Sequence, residues 1–131
     1  MSQQNVELAH QAFYALNRRD LGAFLALMDV DVEAVPTVVA MEGNVRGHDE
    51  VRRWHASVIH IFPDFTVEVV TMRDLGDLTL APVRFRGRGA SSDTPFEMLL
   101  WNVAEWRQAK CVWWGNYRTE PDALEAARLR E

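Results

Sequence analysis

The chain has 131 residues, 48% of them apolar and 25% charged, a balance that indicates one soluble globular unit and excludes a disordered or fibrous chain. A net charge of −5 argues against nucleic acid as the main partner, because phosphate binding rests on clustered Lys and Arg. The single cysteine, Cys111, excludes an internal disulfide framework, and no apolar run approaches the ~20 residues of a membrane helix. The opening residues MSQQNVELAH carry neither a basic region nor an apolar stretch, so neither a signal peptide nor a membrane partner is expected. The cytoplasm is the expected compartment.

In chain order, Val6, Ala9, Phe13 and Leu16 step by three and four, the spacing of one buried helix face. Asp20 predicts the N-cap of a second helix that buries Leu21, Phe24, Leu25 and Met28. The stretch DVDVEAVPTVV reads as a short strand that Pro36 interrupts. A third helix follows in HDEVRRWHASVIHIF, with Val51, Trp54, His55, Val58 and Phe62 on one face and Asp49 and Glu50 in the first turn, where the helix dipole favours them.

The period then changes to two. DFTVEVVTM, LTLAPVRFRG, PFEMLLWNVAEW and KCVWWGNYR predict four strands of an antiparallel meander, and TEPDALEAARLRE a closing helix begun by Pro121. Helices first and a curved sheet afterwards make an α+β fold. Three helices on one face of such a sheet would give a cone with an open mouth. Arg84, Arg86 and Arg88 alternate along one strand and are read as a solvated face with Val83 and Phe85 packed behind, since GRG matches no phosphate-binding loop.

The order and wording of these segments resemble the nuclear transport factor 2-like superfamily, and its SnoaL-like, polyketide cyclase-related branch in particular. The stretches that carry the likeness are NVELAHQAFYALNRRDLGAFLALMDVDVE, VRGHDEVRRWH, DFTVEVVTMRDLGD, FRGRG and YRTEPDALEAA. The resemblance implies a single cone-shaped domain over residues 1–131, three N-terminal helices on a curved, mainly antiparallel sheet, and a short C-terminal helix. It implies no cofactor, and a homodimer formed through the outer face of the sheet. Fold does not select a reaction within so varied a superfamily. The positions at which ketosteroid isomerases carry a tyrosine, an aspartate base and an inner-strand acid fall at Ala12, at Val35 or Pro36, and near Trp101, all apolar here.

His55 is then the leading polar candidate for the cone, because an imidazole among apolar neighbours can serve as acid or base near neutrality. Glu97 shares a strand phase with Leu99, Trp101 and Val103, and Glu33 lies in the first strand; either is a candidate partner for His55. The expected pocket also includes Phe24, Met28, Val35, Met41, Trp54, Val58, Phe62, Leu99, Trp101 and Val103. No metal is expected: His10, His48, His55 and His60 offer no pair at i,i+4 with a carboxylate between.

Adjacent side chains of a strand point to opposite faces, so Trp113 and Trp114 must part. Alignment with the family sends Trp114 and Asn116 to the cavity, and Trp113 and Tyr117 to a dimer face or the closing helix; a bulge at Gly115 would invert them. Gln108-Ala109 stands where a tight hairpin favours Asn-Gly. The leading expectation is binding of a small, largely apolar molecule, polycyclic or steroid-like, on a natural or a redesigned scaffold. The alternative is a cofactor-independent cyclase, isomerase or dehydratase using His55 with Glu97 or Glu33, and a third reading is an interaction module with a vestigial cavity.

Overall fold

The spacing of apolar residues at the N-terminus produces α1 (Ser2–Asn17), which turns its small residues Ala9, Ala12 and Ala15 inward with Leu16. A computed structural model describes residues 2–36, 44–91 and 94–131. Asp20 caps α2 (Leu21–Ala26), its carboxylate accepting from the Ala23 N–H at 2.9 Å. Met28 no longer belongs to that helix; it opens β1 (Met28–Val35), which ends before Pro36. The two-residue β2 (Val45–Arg46) pairs antiparallel with β1 and leads into α3 (Gly47–Ile61). Glu50 in its first turn accepts from the Arg46 N–H at 2.7 Å, supplying one of the partners that a helix start lacks.

The second half forms β3 (Thr66–Val69), the short β4 (Arg73–Asp74), β5 (Leu78–Arg88), β6 (Pro95–Arg107) and β7 (Lys110–Tyr117), then α4 (Glu120–Arg130). Thr119 caps α4 by accepting from the Asp122 N–H at 3.2 Å. The strands make one curved, open sheet in the order β2-β1-β7-β6-β5-β3, with β4 on β5. All pairs are antiparallel except β1 with β7, which run parallel. That pair joins the start of the chain to its end and has no signature within either strand. On the free edge of β3, the Asn17 side chain donates to the Val67 carbonyl at 2.8 Å and accepts from its N–H at 2.7 Å, taking the place of a further strand.

The fold is the expected α+β cone: α1, α2 and α3 pack on the concave face of the sheet. α4 closes over part of the convex face, where Ala123 and Ala127 meet Leu78, Leu80, Val103 and Trp113. Arg84, half-buried, and Arg86, exposed, stand on that convex side, ion-paired to Glu68 and Glu97, while Val83 and Phe85 are buried behind them. No helix among the described residues is long and apolar enough to cross a membrane.

One irregularity sets the placement of side chains in β7. Glu105 pairs with Trp113 but Trp106 pairs with Cys111, so the register slips at Val112. A bulge of this kind re-aims the residues on either side of it. Cys111 and Trp114 consequently both face the concave side, although strict alternation would separate them. The expected alternative, a bulge at Gly115, does not occur; Gly115 instead makes room for the Tyr117 ring, whose atoms lie 2.8 Å from where a Cβ would stand.

Candidate functional site

The helices and the concave face enclose a cavity. α1 supplies Ala9, Ala12, Phe13 and Leu16, and the small alanines leave the space that larger side chains would occupy. Phe24, Met28, Trp54 and Val58 come from α2, β1 and α3. The floor is sheet: Phe85 on β5, Leu100, Asn102, Ala104 and Trp106 on β6, Cys111, Trp114 and Asn116 on β7. The volume is about 70 Å³, on a scale where one water needs roughly 10–15 Å³. That is room for about five waters, or for one small ring. Pockets for drug-sized molecules run to about 300–1,000 Å³.

Its chemistry is apolar with a few fixed polar groups. Asn102 donates through Nδ2 to Asn116 Oδ1 at 2.9 Å, cross-linking β6 and β7 at register partners. Trp106 donates through Nε1 to Thr79 Oγ1 at 3.1 Å. Trp54 and Trp114 meet with ring centroids 5.2 Å apart and planes inclined at 60°. Neither of their Nε1 atoms, both shut off from solvent, has a hydrogen-bond partner in the protein. An unpaired buried donor costs about 1–3 kcal/mol. Cys111 is fully enclosed, and burial pushes its thiol well above the usual range, so it is no nucleophile near neutrality. Among the described residues, no Asp, Glu, His, Lys or Arg lines the cavity, and no three metal-ligating side chains cluster.

The sequence-derived candidates divide as follows. Phe24, Met28, Trp54, Val58, Trp114 and Asn116 lie in the wall. Met41 falls outside the described residues. Val35 sits at the end of β1, half-buried opposite Gly115, and Phe62 stacks on Phe96 and meets Phe85 edge-on; neither lines the cavity. His55 is 8% exposed but stands behind the wall, its ring 6.3 Å from Phe65 and 6.5 Å from Trp54. Burial, and secondly the charge of Arg19, hold its pKa below the usual histidine value. Its Nε2 has no partner.

Strand β6 has the opposite phase to the one expected. Leu99 is 46% exposed, and Trp101 and Val103 pack in the cluster under α4, while Leu100, Asn102 and Ala104 face inward. From Asn102 to Trp106 this strand is buried on both sides, so the apolar pattern carries no phase information. A charge signal was present: Glu97 and Glu105 share the odd phase, and both turn outward to arginines. Glu97 lies 3.0 Å from Arg86, and Glu33 is half-exposed beside Arg46 at 3.9 Å. Neither carboxylate meets His55, which removes the expected acid–base pairings. At the position compared with the tyrosine of ketosteroid isomerases, Ala12 lines the cavity. Trp113 is covered by α4 and is no free dimer surface.

A cone of three helices on a curved sheet, closed round an apolar cavity, is the architecture of the nuclear transport factor 2-like proteins. The model of the SnoaL-like domain matches residues 9–114, and the chain belongs to that family. Among solved structures it is similar to a nuclear transport factor 2-like protein of unknown function from Burkholderia pseudomallei, with 17% identity, 93% of this chain and 95% of that one covered, and a TM-score of 0.80. It is similar also to a SnoaL-like polyketide cyclase, so described provisionally, from Jannaschia sp. (15% identity, 96% and 92% covered, TM-score 0.77). AclR of Streptomyces galilaeus, described as a hydroxylase on the same provisional footing, shares 14% identity over 98% of each chain with a TM-score of 0.74. At these identities the likeness is one of fold. No curated protein matches the chain in sequence.

Proposed function

We propose that the protein binds a small, uncharged, largely apolar molecule in the cone, and that it does so without acid–base chemistry. The observation that carries this reading is the lining: aromatic and aliphatic walls, one amide pair, two unpaired indole donors, and no titratable group but a buried thiol among the described residues. A general base must come within hydrogen-bond reach of the proton it takes. His55 stands behind Phe65 and Trp54, and its carboxylate candidates lie elsewhere. The cavity volume favours a single ring; a polycyclic or steroid-like ligand requires the walls to part.

Toluene is a suitable probe, followed by the side-chain ¹⁵N–¹H signals of the tryptophans. Saturable shifts at Trp54 and Trp114, with Trp113 unmoved, are the expected result. The Ala12→Phe variant fills the space from α1 and abolishes those shifts. Absence of saturable binding to the folded wild-type protein, or shifts centred on Trp113, overturns the reading.

A second copy of the chain is the proposed partner, as the family resemblance implies, through the part of the convex face that α4 leaves open. Leu99, Trp101 and Tyr117 stand there, the last two directly opposed in register. Light scattering at micromolar concentration is expected to give twice the chain mass, and Leu99→Glu to give the monomer. A wild-type monomer mass refutes it.

A further inference from the structure

Tryptophan N–H groups that are buried for structural reasons find partners, and this chain supplies an internal standard. Trp106, in the same cavity wall, donates to Thr79. Trp54 and Trp114 do not, although each is more than nine-tenths buried and an apolar side chain of similar size would fill either place without an unpaired donor. One comes from α3 and the other from β7, so two unrelated elements each bring an unpaired indole to the same wall, their ring centroids 5.2 Å apart. A carbonyl oxygen has two lone pairs and can accept from both. A charged acceptor is disfavoured, because no cationic side chain among the described residues lines the cavity and an unpaired buried charge is costly.

We propose that the cavity selects uncharged molecules bearing a carbonyl-type hydrogen-bond acceptor, and that the Nε1–H groups of Trp54 and Trp114 together receive that acceptor. The proposal rests on the binding reading above and adds to it the polarity of the ligand and the residues that read it. Trp54 and Trp114 then determine specificity, not merely shape. Both nitrogens are closed to solvent, so an acceptor reaches them only as the two side chains shift.

The test compares cyclopentanone with methylenecyclopentane, the same ring with carbon in place of oxygen. The measured quantity is the ratio of their affinities, in the wild type and in Trp54→Phe and Trp114→Phe. Taking the ratio cancels the space that each substitution opens and the different cost of removing the two probes from water. Each lost donor is expected to shift the ratio against the ketone by about three- to tenfold. In the wild type, ketone but not alkene moves both indole protons downfield, a readout that survives should a variant fail to fold. If both probes bind, the ratio is unchanged in the variants and the indole protons respond alike, the acceptor proposal is wrong and the binding reading stands. A change confined to one variant and one indole overturns the paired arrangement. If neither probe binds, the binding reading falls and takes the proposal with it.

Discussion

Trp113 and Trp114 are neighbours in β7 and each is 6% exposed, yet they are buried by different means. Trp113 lies against Val103 and Leu80, with Ala123 and Ala127 of α4 above it. The Arg130 guanidinium sits 4.9 Å from its ring centre and pairs at 2.6 Å with Glu105, a buried carboxylate that Arg107 also holds at 2.8 Å. That indole is packed between the sheet, α4 and the Arg130 guanidinium. Trp114 faces the cavity, leans on Trp54, and keeps an unpaired donor. The comparison teaches that burial alone does not identify a structural residue. Under α4 the convex side of the sheet is packed by its own chain, whereas on the concave side two indole nitrogens are shut off from solvent and still lack hydrogen-bond partners in the protein.

The largest expected effect breaks or upholds that contrast directly. Trp113→Ala removes a ring packed between the sheet and α4 and is expected to cost about 3–5 kcal/mol in urea unfolding. Trp114→Ala is expected to cost roughly 1–2 kcal/mol less, because atoms that border empty space have fewer contacts to lose. Equal losses mean that the two faces are equally complete.

A smaller effect sharpens the account of the concave side. Burial and the charge of Arg19 lower the His55 pKa in the folded protein, so the unfolded chain takes up the proton first. Stability contributed by neutral His55 is full above the ordinary histidine pKa of about 6.5. It is lost as pH falls below that value, until the folded state is protonated as well. Unfolding followed from pH 7.5 to 5.5 is expected to show stability falling with pH, with a shallower fall in His55→Asn. An identical pH dependence in the two proteins places the imidazole in a more polar environment than the structure gives it.

The smallest effect leaves both faces untouched. Gln108 and Ala109 form the β6–β7 turn with φ of 51° and 64°, in the left-handed region that favours Asn and Gly. Replacing them with Asn and Gly is expected to raise stability by about 0.5–1 kcal/mol in thermal melts, with toluene affinity unchanged. Destabilisation by this double variant shows that the turn residues make contacts beyond the backbone.

The sequence by itself determined the local elements and the family. Periods of three and four wrote α1 and α3, Asp20 and Pro121 wrote the starts of α2 and α4, and alternating arginines wrote a solvated strand face, because each of these signals is complete within a few residues. The split between Trp113 and Trp114 was also legible, since a strand leaves adjacent side chains no other choice. What only the tertiary structure decided lies where a segment is buried on both sides or paired across the chain. Strand β6 carries apolar residues in both phases through its inner half, so Trp101 and Leu100 look alike until α4 is seen to occupy one face. The slip at Val112 brought Cys111 in beside Trp114, and the parallel pairing of β1 with β7 set the wall that Met28 joins. The unpaired state of the two indoles belongs to the same class. Whether a donor has a partner is a property of what surrounds it in space, and only the assembled fold supplies that surrounding.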